Sequence, residues 1–475
     1  MKRRFSKGLP FIVLITLLFC QCTPAEMEKR IVPQEIAPIN APFDMPQPER
    51  PVFADRAFLI SDYGAKGDGQ FKNTDAIARA ITACHQAGGG KVIVPPGKWL
   101  TGAIHLQSNV NLVLQSGAEI HFSQDPEDYL PVVFTRWAGF ECYNYSPLIY
   151  ARDCENIAIT GPGKLYGHGR SWWSWSERQS ETGRAMYENQ VLKGVPPEQR
   201  IYGTPEAGLR PQMISPINCR NVLLEGFTIA DPGPFWTIQM VYCENVIVRD
   251  LDIHTKGGPN TDGINIDSSS RVLIEYCLLD VGDDAVCLKS GINEDGWRVG
   301  RPTEKVVVRH INALSSHGGI VIGSEMSGGV HDVLAHDCLF DGSDRGIRLK
   351  SNSARGGTVE NIHYRNITMR NIRSEAIRIN THYGAWLAAK DASAYPVFRN
   401  IFIKDVDCKG AGIAASLRGT SHMPIRNISL ENVTISADRG MSFEWVHGLD
   451  LINVRCEPVT GDPMSFTNCQ DVNDR

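Results

Sequence analysis

No excess of positive charge marks this chain: 48 Lys and Arg stand against 53 Asp and Glu, a formal net charge of −5. A nucleic-acid binder would normally present a basic face, so that class is set aside. An anionic substrate is not, because a few local cations are enough to hold one. Past the N-terminus no apolar run approaches the ~20 residues of a membrane-crossing helix. The run from Leu9 to Phe19 is itself too short to span comfortably. With Lys2, Arg3, Arg4 and Lys7 before it, it reads as the n-region and h-region of a signal peptide over residues 1–22. Cys22 stands where a bacterial lipoprotein carries its lipid, although the residues before it are not the usual small ones. Export follows, to the periplasm, the medium or a lipid-anchored place on the outer membrane. Residues 23–56, rich in proline and charge, read as a tether or extended lead-in.

Apolar content of 42% and charged content of 21% are those of a globular protein. Thirteen cysteines would suit a disulfide framework in an exported chain. Their placement points elsewhere: Cys154, Cys219 and Cys243 each precede an apolar repeat by three residues, as a stacked buried ladder would. Bridges between neighbouring coils remain geometrically open.

The repeat governs everything else. A polar residue is followed by apolar, any, apolar, two residues, apolar, any, apolar, as in Asn221–Ile229 and again in Asn245–Ile253. Later copies begin at Val272, Val306, Val333, Ile362, Ile401, Ile428 and Leu449. Alternation rich in Val and Ile means strands. A recurrence of that length means stacked coils, none able to bury its apolar side alone. Residues 57–475 are therefore expected to form one all-β solenoid, a parallel β-helix. A second short strand per coil is centred on Ile264, Val286, Ile320, Ile347 and Ile377, turning Asn265, Asp267, Lys289, Arg348, Lys350, Arg378 and Asn380 outward. Ahead of the coils, Asn73 offers an N-cap, and Ile77, Ala80, Ile81 and Cys84 keep helical spacing up to Gly88-Gly89-Gly90. That helix would cap the open end of the solenoid.

Aligned on the inward residues, Asp262 and Asp284 share a column of adjacent coils, and Asp283 and His317 share the column one residue earlier. Arg348 and Lys350 lie on the following coil. With coils ~4.8 Å apart and ~3.3 Å per residue along a strand, three carboxylates converge beside a His and two cations. Such a group is unfavourable unless one member keeps a proton. One protonated acid and one ionised base are what glycoside hydrolysis needs. Each feature alone has a blander reading: Asp262-Gly263 and Asp283-Asp284 as turns, His317-Gly318-Gly319 as a loop, Arg348 and Lys350 as a solvated strand face. Their joint register over consecutive coils weighs against all four.

The motifs Asn260-Thr261-Asp262-Gly263, Gly282-Asp283-Asp284, Ser316-His317-Gly318-Gly319 and Arg348-Leu349-Lys350 resemble, in order and spacing, those of glycoside hydrolase family 28, the polygalacturonases. The likeness begins near Asp62 and covers most of the chain, and its pattern is closest to bacterial exo-acting members. It implies a right-handed β-helix and inverting hydrolysis of α-1,4-galacturonosyl links in pectin, with no metal or cofactor. Carried over, Asp283 is the general acid, Asp262 and Asp284 hold the water, and His317 supports Asp283. Asn260, Arg348, Lys350 and Tyr383 would bind substrate, the cations gripping the sugar carboxylate. The expected partner is an acidic polysaccharide, and the expected state a monomer. Gly282 replaces the Gln of many endo-acting members. Long segments, 167–211 with Trp172, Trp173 and Trp175, and 291–303, would close one end of a groove. The tryptophans either stack on sugar or pack beneath their loop. Rhamnogalacturonan and xylogalacturonan hydrolases of the same family remain alternatives. So do a calcium-dependent pectate-lyase-like enzyme and a non-catalytic polysaccharide-binding β-helix.

Overall fold

The computed structural model describes residues 31–384, 387 and 394–475. The signal segment and Cys22 lie outside the described residues. The chain divides into Met1–Glu35, whose described residues form no helix or strand, and Ile36–Arg475. Among the described residues no helix is long and apolar enough to cross a membrane.

The second unit is a right-handed parallel β-helix. The repeat sets its register residue by residue. Val222 pairs with Val246, Val246 with Val272, Val272 with Val306 and Val306 with Val333. The ladder continues through Ile362, Ile401, Ile428 and Leu449. A second column stacks Ile264, Val286, Ile320, Ile347 and Ile377. All of these side chains are buried in one continuous core. The polar residue that opens each repeat has its own reason. Asn156, Asn221 and Asn245 adopt φ of 53°, 57° and 54°, the left-handed region that asparagine tolerates. Each side-chain amide donates to the asparagine one coil before, at 3.0, 2.8 and 3.1 Å.

The expected helix spans Thr74–Gln86 and buries Ala76, Ile77, Ala80, Ile81 and Cys84 against the first coils. Asn73 stands at its N-cap position, but its side chain does not cap. It is instead fully buried, accepting from Lys66 N at 2.7 Å and donating to Phe71 O and Leu100 O. Closing the loop before the helix outweighs the single cap bond. Cys154, Cys219 and Cys243 are buried, and every described cysteine is a free thiol.

Within the stretch read as a lead-in, residues from Ile36 onward lie along the outside of the first strand column. Ile36, Ile39, Ala41, Phe43 and Met45 cover Leu273, Val307 and Leu334, while Ile36 and Phe53 cover Ala158, Leu223 and Ile247. Arg50 clasps Glu225, and Arg309 donates to Ala37 O.

Candidate active site

The strand register brings the acidic residues together. Ile264 opposes Val286, which places Asp262 over Asp284, and the main chain confirms it with Gly263 N donating to Asp284 O at 2.9 Å. Asp284 opposes Gly318, which sets His317 beside Asp283. Gly282 before the pair has a steric cause. A Cβ there would lie 2.3 Å from Thr261 Oγ1 and 2.4 Å from Gly258 O, so no larger residue fits under that loop.

Each carboxylate has a different environment. Asp284 is buried and bound by Lys350 Nζ at 2.8 Å and Arg348 Nη1 at 3.2 Å. Burial alone would raise it, but Lys350 and Arg348 hold it well below the ordinary carboxylate range. Asp262 is equally buried, and its nearest cation, Lys289 Nζ, stands 3.8 Å away. Burial, reinforced by the charge of Asp283, pushes it well above the usual value. The cluster therefore holds one proton and one firmly ionised group. Asp283 reaches toward solvent, 19% exposed in its side chain. Its Oδ1 lies 3.2 Å from His317 Nδ1, and Asn260 Nδ2 approaches its Oδ2 at 3.5 Å. That contact with Asp283 raises the pKa of His317, whose other nitrogen lies 3.6 Å from Asp344.

These residues line a cleft of about 410 Å³. Asn260, Asp262, Asp283, Asp284, His317, Arg348, Lys350 and Tyr383 all face it. The cations are less free than a solvated strand face would make them, since both are committed to Asp284. Arg348 nevertheless has donors to spare: its Nε is buried with no partner among the described residues. The Tyr383 ring lies 5.7 Å from both cations.

Several cleft residues were not foreseen. Trp137 and Ala138 come from an antiparallel hairpin, Val133–Trp137 with Phe140–Asn144, the one departure from parallel pairing among the described strands. Ala138 and Gly139, at φ of 47° and 93°, make its two-residue turn. Ala-Gly between alternating apolar residues was the available signal. Gln179 and Ser180 come from the helix Ser176–Met186 in the long insertion. The insertion's tryptophans do not line the cleft: Trp172 and Trp175 are buried against Tyr145, and Trp173 donates to Gly233 O. Phe235 and Trp236 supply its aromatic surface. Of the predicted outward residues, Asp267 is fully buried beneath the hairpin, taking Arg136 Nη1 at 2.9 Å. The expanded coil acts from behind. Its Asp295 accepts from Arg200 Nη1 at 2.9 Å and from Glu141 N at 2.8 Å, tying hairpin, insertion and coil together.

Comparison with known proteins agrees with this geometry. The chain matches the family model for Glycosyl hydrolases family 28 over residues 84–450. It is 32% identical to a probable polygalacturonase of Vitis vinifera over 388 residues, covering 79% of this chain and 73% of that one. To the exo-poly-alpha-D-galacturonosidase of Dickeya chrysanthemi it is 26% identical, covering 83% and 71%. The crystal structure of a hyperthermoactive exopolygalacturonase from Thermotoga maritima superposes with a TM-score of 0.77 at 38% identity, covering 90% and 94%. The chain belongs to glycoside hydrolase family 28. It is a glycosidase of the polygalacturonase type.

Proposed function

We propose that this enzyme releases galacturonic acid units from the ends of pectic galacturonan by inverting hydrolysis. The observation that carries the reading is the cleft itself. Three carboxylates in unlike environments sit beside Arg348 and Lys350, in a space narrowed on one side by hairpin and insertion. Asp283, the carboxyl that faces the cleft, gives its proton to the leaving glycosidic oxygen. Asp284, kept ionised, orients a water with Asp262 and takes its proton as the water oxygen bonds to the anomeric carbon. Burial and the charge of Asp283 hold Asp262 well above the ordinary carboxylate range, so a proton is kept within the cluster. A bound uronate adds negative charge and helps retain it. Arg348 and Lys350, which line the cleft, meet the sugar carboxylate, and His317 and Asn260 steady Asp283. Metal-assisted elimination fits less well, because Lys289, Arg348 and Lys350 already neutralise these carboxylates and would repel a divalent cation. Export belongs to the same reading, supported by the basic and apolar pattern from Lys2 to Phe19.

The exo mode rests on relatives of that printed activity and on Gln179, Ser180, Trp137 and Ala138 standing across the groove. Product profiling on polygalacturonate tests it: one or two sugars per cut and slow loss of viscosity are expected. An early ladder of oligomers would remove the exo mode, and an absorbing unsaturated uronide would remove hydrolysis. Arg348→Ala should raise KM on free galacturonan by about tenfold or more, the loss of one charge-assisted pair. It should also narrow the preference over methyl-esterified polymer. Equal cutting of both polymers by the unaltered enzyme would rule out this role for Arg348.

A further inference from the structure

Among the residues that line the cleft is an ion pair, Lys289 with Glu325, to which the reaction as described gives no part. Lys289, on the strand Asp284–Lys289, is 3% exposed. Its Nζ stands 2.9 Å from Glu325 Oε2 and 3.8 Å from Asp262 Oδ2. The indole of Trp236 closes a further side, 4.4 Å from ring centre to ammonium. Glu325 follows the strand Gly318–Ile322, one coil on. Its other oxygen accepts from Ser324 Oγ at 2.9 Å. One ammonium thus stands between a carboxylate of the proposed reaction and one outside it.

We propose that Lys289 and Glu325 are positioning residues: the charge of Glu325 offsets that of Lys289 at Asp262 and so sets how firmly Asp262 keeps its proton. The inference rests on the hydrolase reading and extends it. Geometry makes the offset necessary. Lys289 Nζ lies nearer to Glu325 than to Asp262, and the negative charge of Glu325 cancels part of the ammonium's field at Asp262. Without Glu325, the whole ammonium would act on Asp262 and drive off the proton the site must hold. Without Lys289, Asp262 would face the charges of Asp283 and Asp284 with only Lys350 to offset them. The other groups facing this pair are fixed by their own partners. Asp267 is bound to Arg136, Asp284 to Lys350 and Arg348, and Arg355 donates to Ser324 O and Asn293. Burial would raise Glu325, yet Lys289 and Arg355 lower it to about 2, so it carries its charge wherever the enzyme is folded.

Two variants should move the enzyme in opposite directions. Glu325→Gln is expected to shift the alkaline limb of kcat/KM down by about one pH unit, because Asp262 then loses its proton sooner. Lys289→Met alone would strand Glu325 as an uncompensated buried charge, so the double variant K289M/E325Q, neutral and close in volume, carries the other arm. It should shift the limb up by about one unit. The protonated-carboxyl infrared band that disappears in Asp262→Asn should titrate with the same two displacements. Shifts of both variants in one direction, or losses of kcat with limb and band unmoved, would overturn the proposal. The infrared titration decides it even if galacturonan proves not to be the substrate, and product analysis decides that separately.

Discussion

Asp283 and Asp284 are consecutive in sequence and meet opposite surroundings. Alternation along the strand turns Asp284 toward two cations in the cleft floor and leaves Asp283 at the rim with His317. Asp283→Asn should therefore remove at least ~10³-fold of kcat while the thermal midpoint stays within a few degrees, since general acids supply about 10²–10⁴. Near-normal kcat in that variant would dismiss Asp283 as the acid. The same contrast fixes the pH profile. Asp284, held below its ordinary range, stays ionised through mildly acid pH, so the acid side should be broad. On the alkaline side the proton that burial favours on Asp262 is lost. His317, raised by its bond to Asp283, also deprotonates there. Its contribution to stability is present below its unfolded pKa of about 6.5 and lost as pH rises through the folded value, so both effects act in one direction. A kcat/KM that halves near pH ~4 in a still-folded enzyme would contradict an ionised Asp284. That Asp262, Asp283, Asp284, His317, Arg348 and Lys350 gather at one cleft was legible from spacing, because a solenoid converts sequence period into spatial column, while Asn260 and Tyr383 came from motif likeness. Lys289 could be placed on the outward face in the same way. Glu325 could not, since it follows a strand end where the period stops.

At the scale of elements, part of the cleft lining comes from pieces that break the repeat. The hairpin Val133–Asn144, the helix Ser176–Met186 and the helix Asn293–Val299 share a small core of Trp137, Phe140, Met186, Tyr187, Leu209, Phe235 and Ile292. Buried ion pairs fasten it, Arg136 to Asp267 and Arg200 to Asp295. Sequence marked the segments 167–211 and 291–303 but not their direction, and it did not mark the hairpin, because contacts between insertions follow no period. The tryptophans show the limit: of the two readings open for Trp172 and Trp175, packing beneath the loop is the one the structure has, whereas Trp236, inside an ordinary coil, lines the cleft. The wall supplies a prediction. Arg210, buried, donates to Gln179 Oε1 at 2.8 Å and to Asn260 Oδ1 at 2.9 Å, joining the insertion to the residue beside Asp283. Replacing Gln179 and Ser180 by Gly should lengthen the products and speed viscosity loss, with the β-helix unaffected. An unchanged product pattern would mean that the wall does not set the mode of cutting.

At the scale of the molecule, one continuous core is closed in two different ways. The N-terminal end is capped by Thr74–Gln86, and the flank of the first strand column is covered by residues 36–53. That flank explains why a segment of proline and charge should be ordered at all. Outward positions of a solenoid are usually polar, but Leu223, Ile247, Leu273, Val307 and Leu334 form an apolar stripe, and the strap brings Ile39, Phe43, Met45 and Phe53 to it. Prolines fix the extended backbone at little entropic cost, and the charges make specific pairs at Arg50–Glu225 and Lys305–Asp44. At ~25 cal/mol per Å² of apolar surface, such a stripe contributes on the order of a few kcal/mol. A chain beginning at Arg56 should then unfold several degrees lower, bind an apolar dye and self-associate through the bared stripe. Its products on polygalacturonate should be unchanged, because the strap covers a different strand column from the one that carries Asp262, Asp283 and Asp284. A truncated protein with the same melting temperature and no dye binding would mean the strap merely rests on the coils. Altered products with the same stability would tie the strap to the cleft instead.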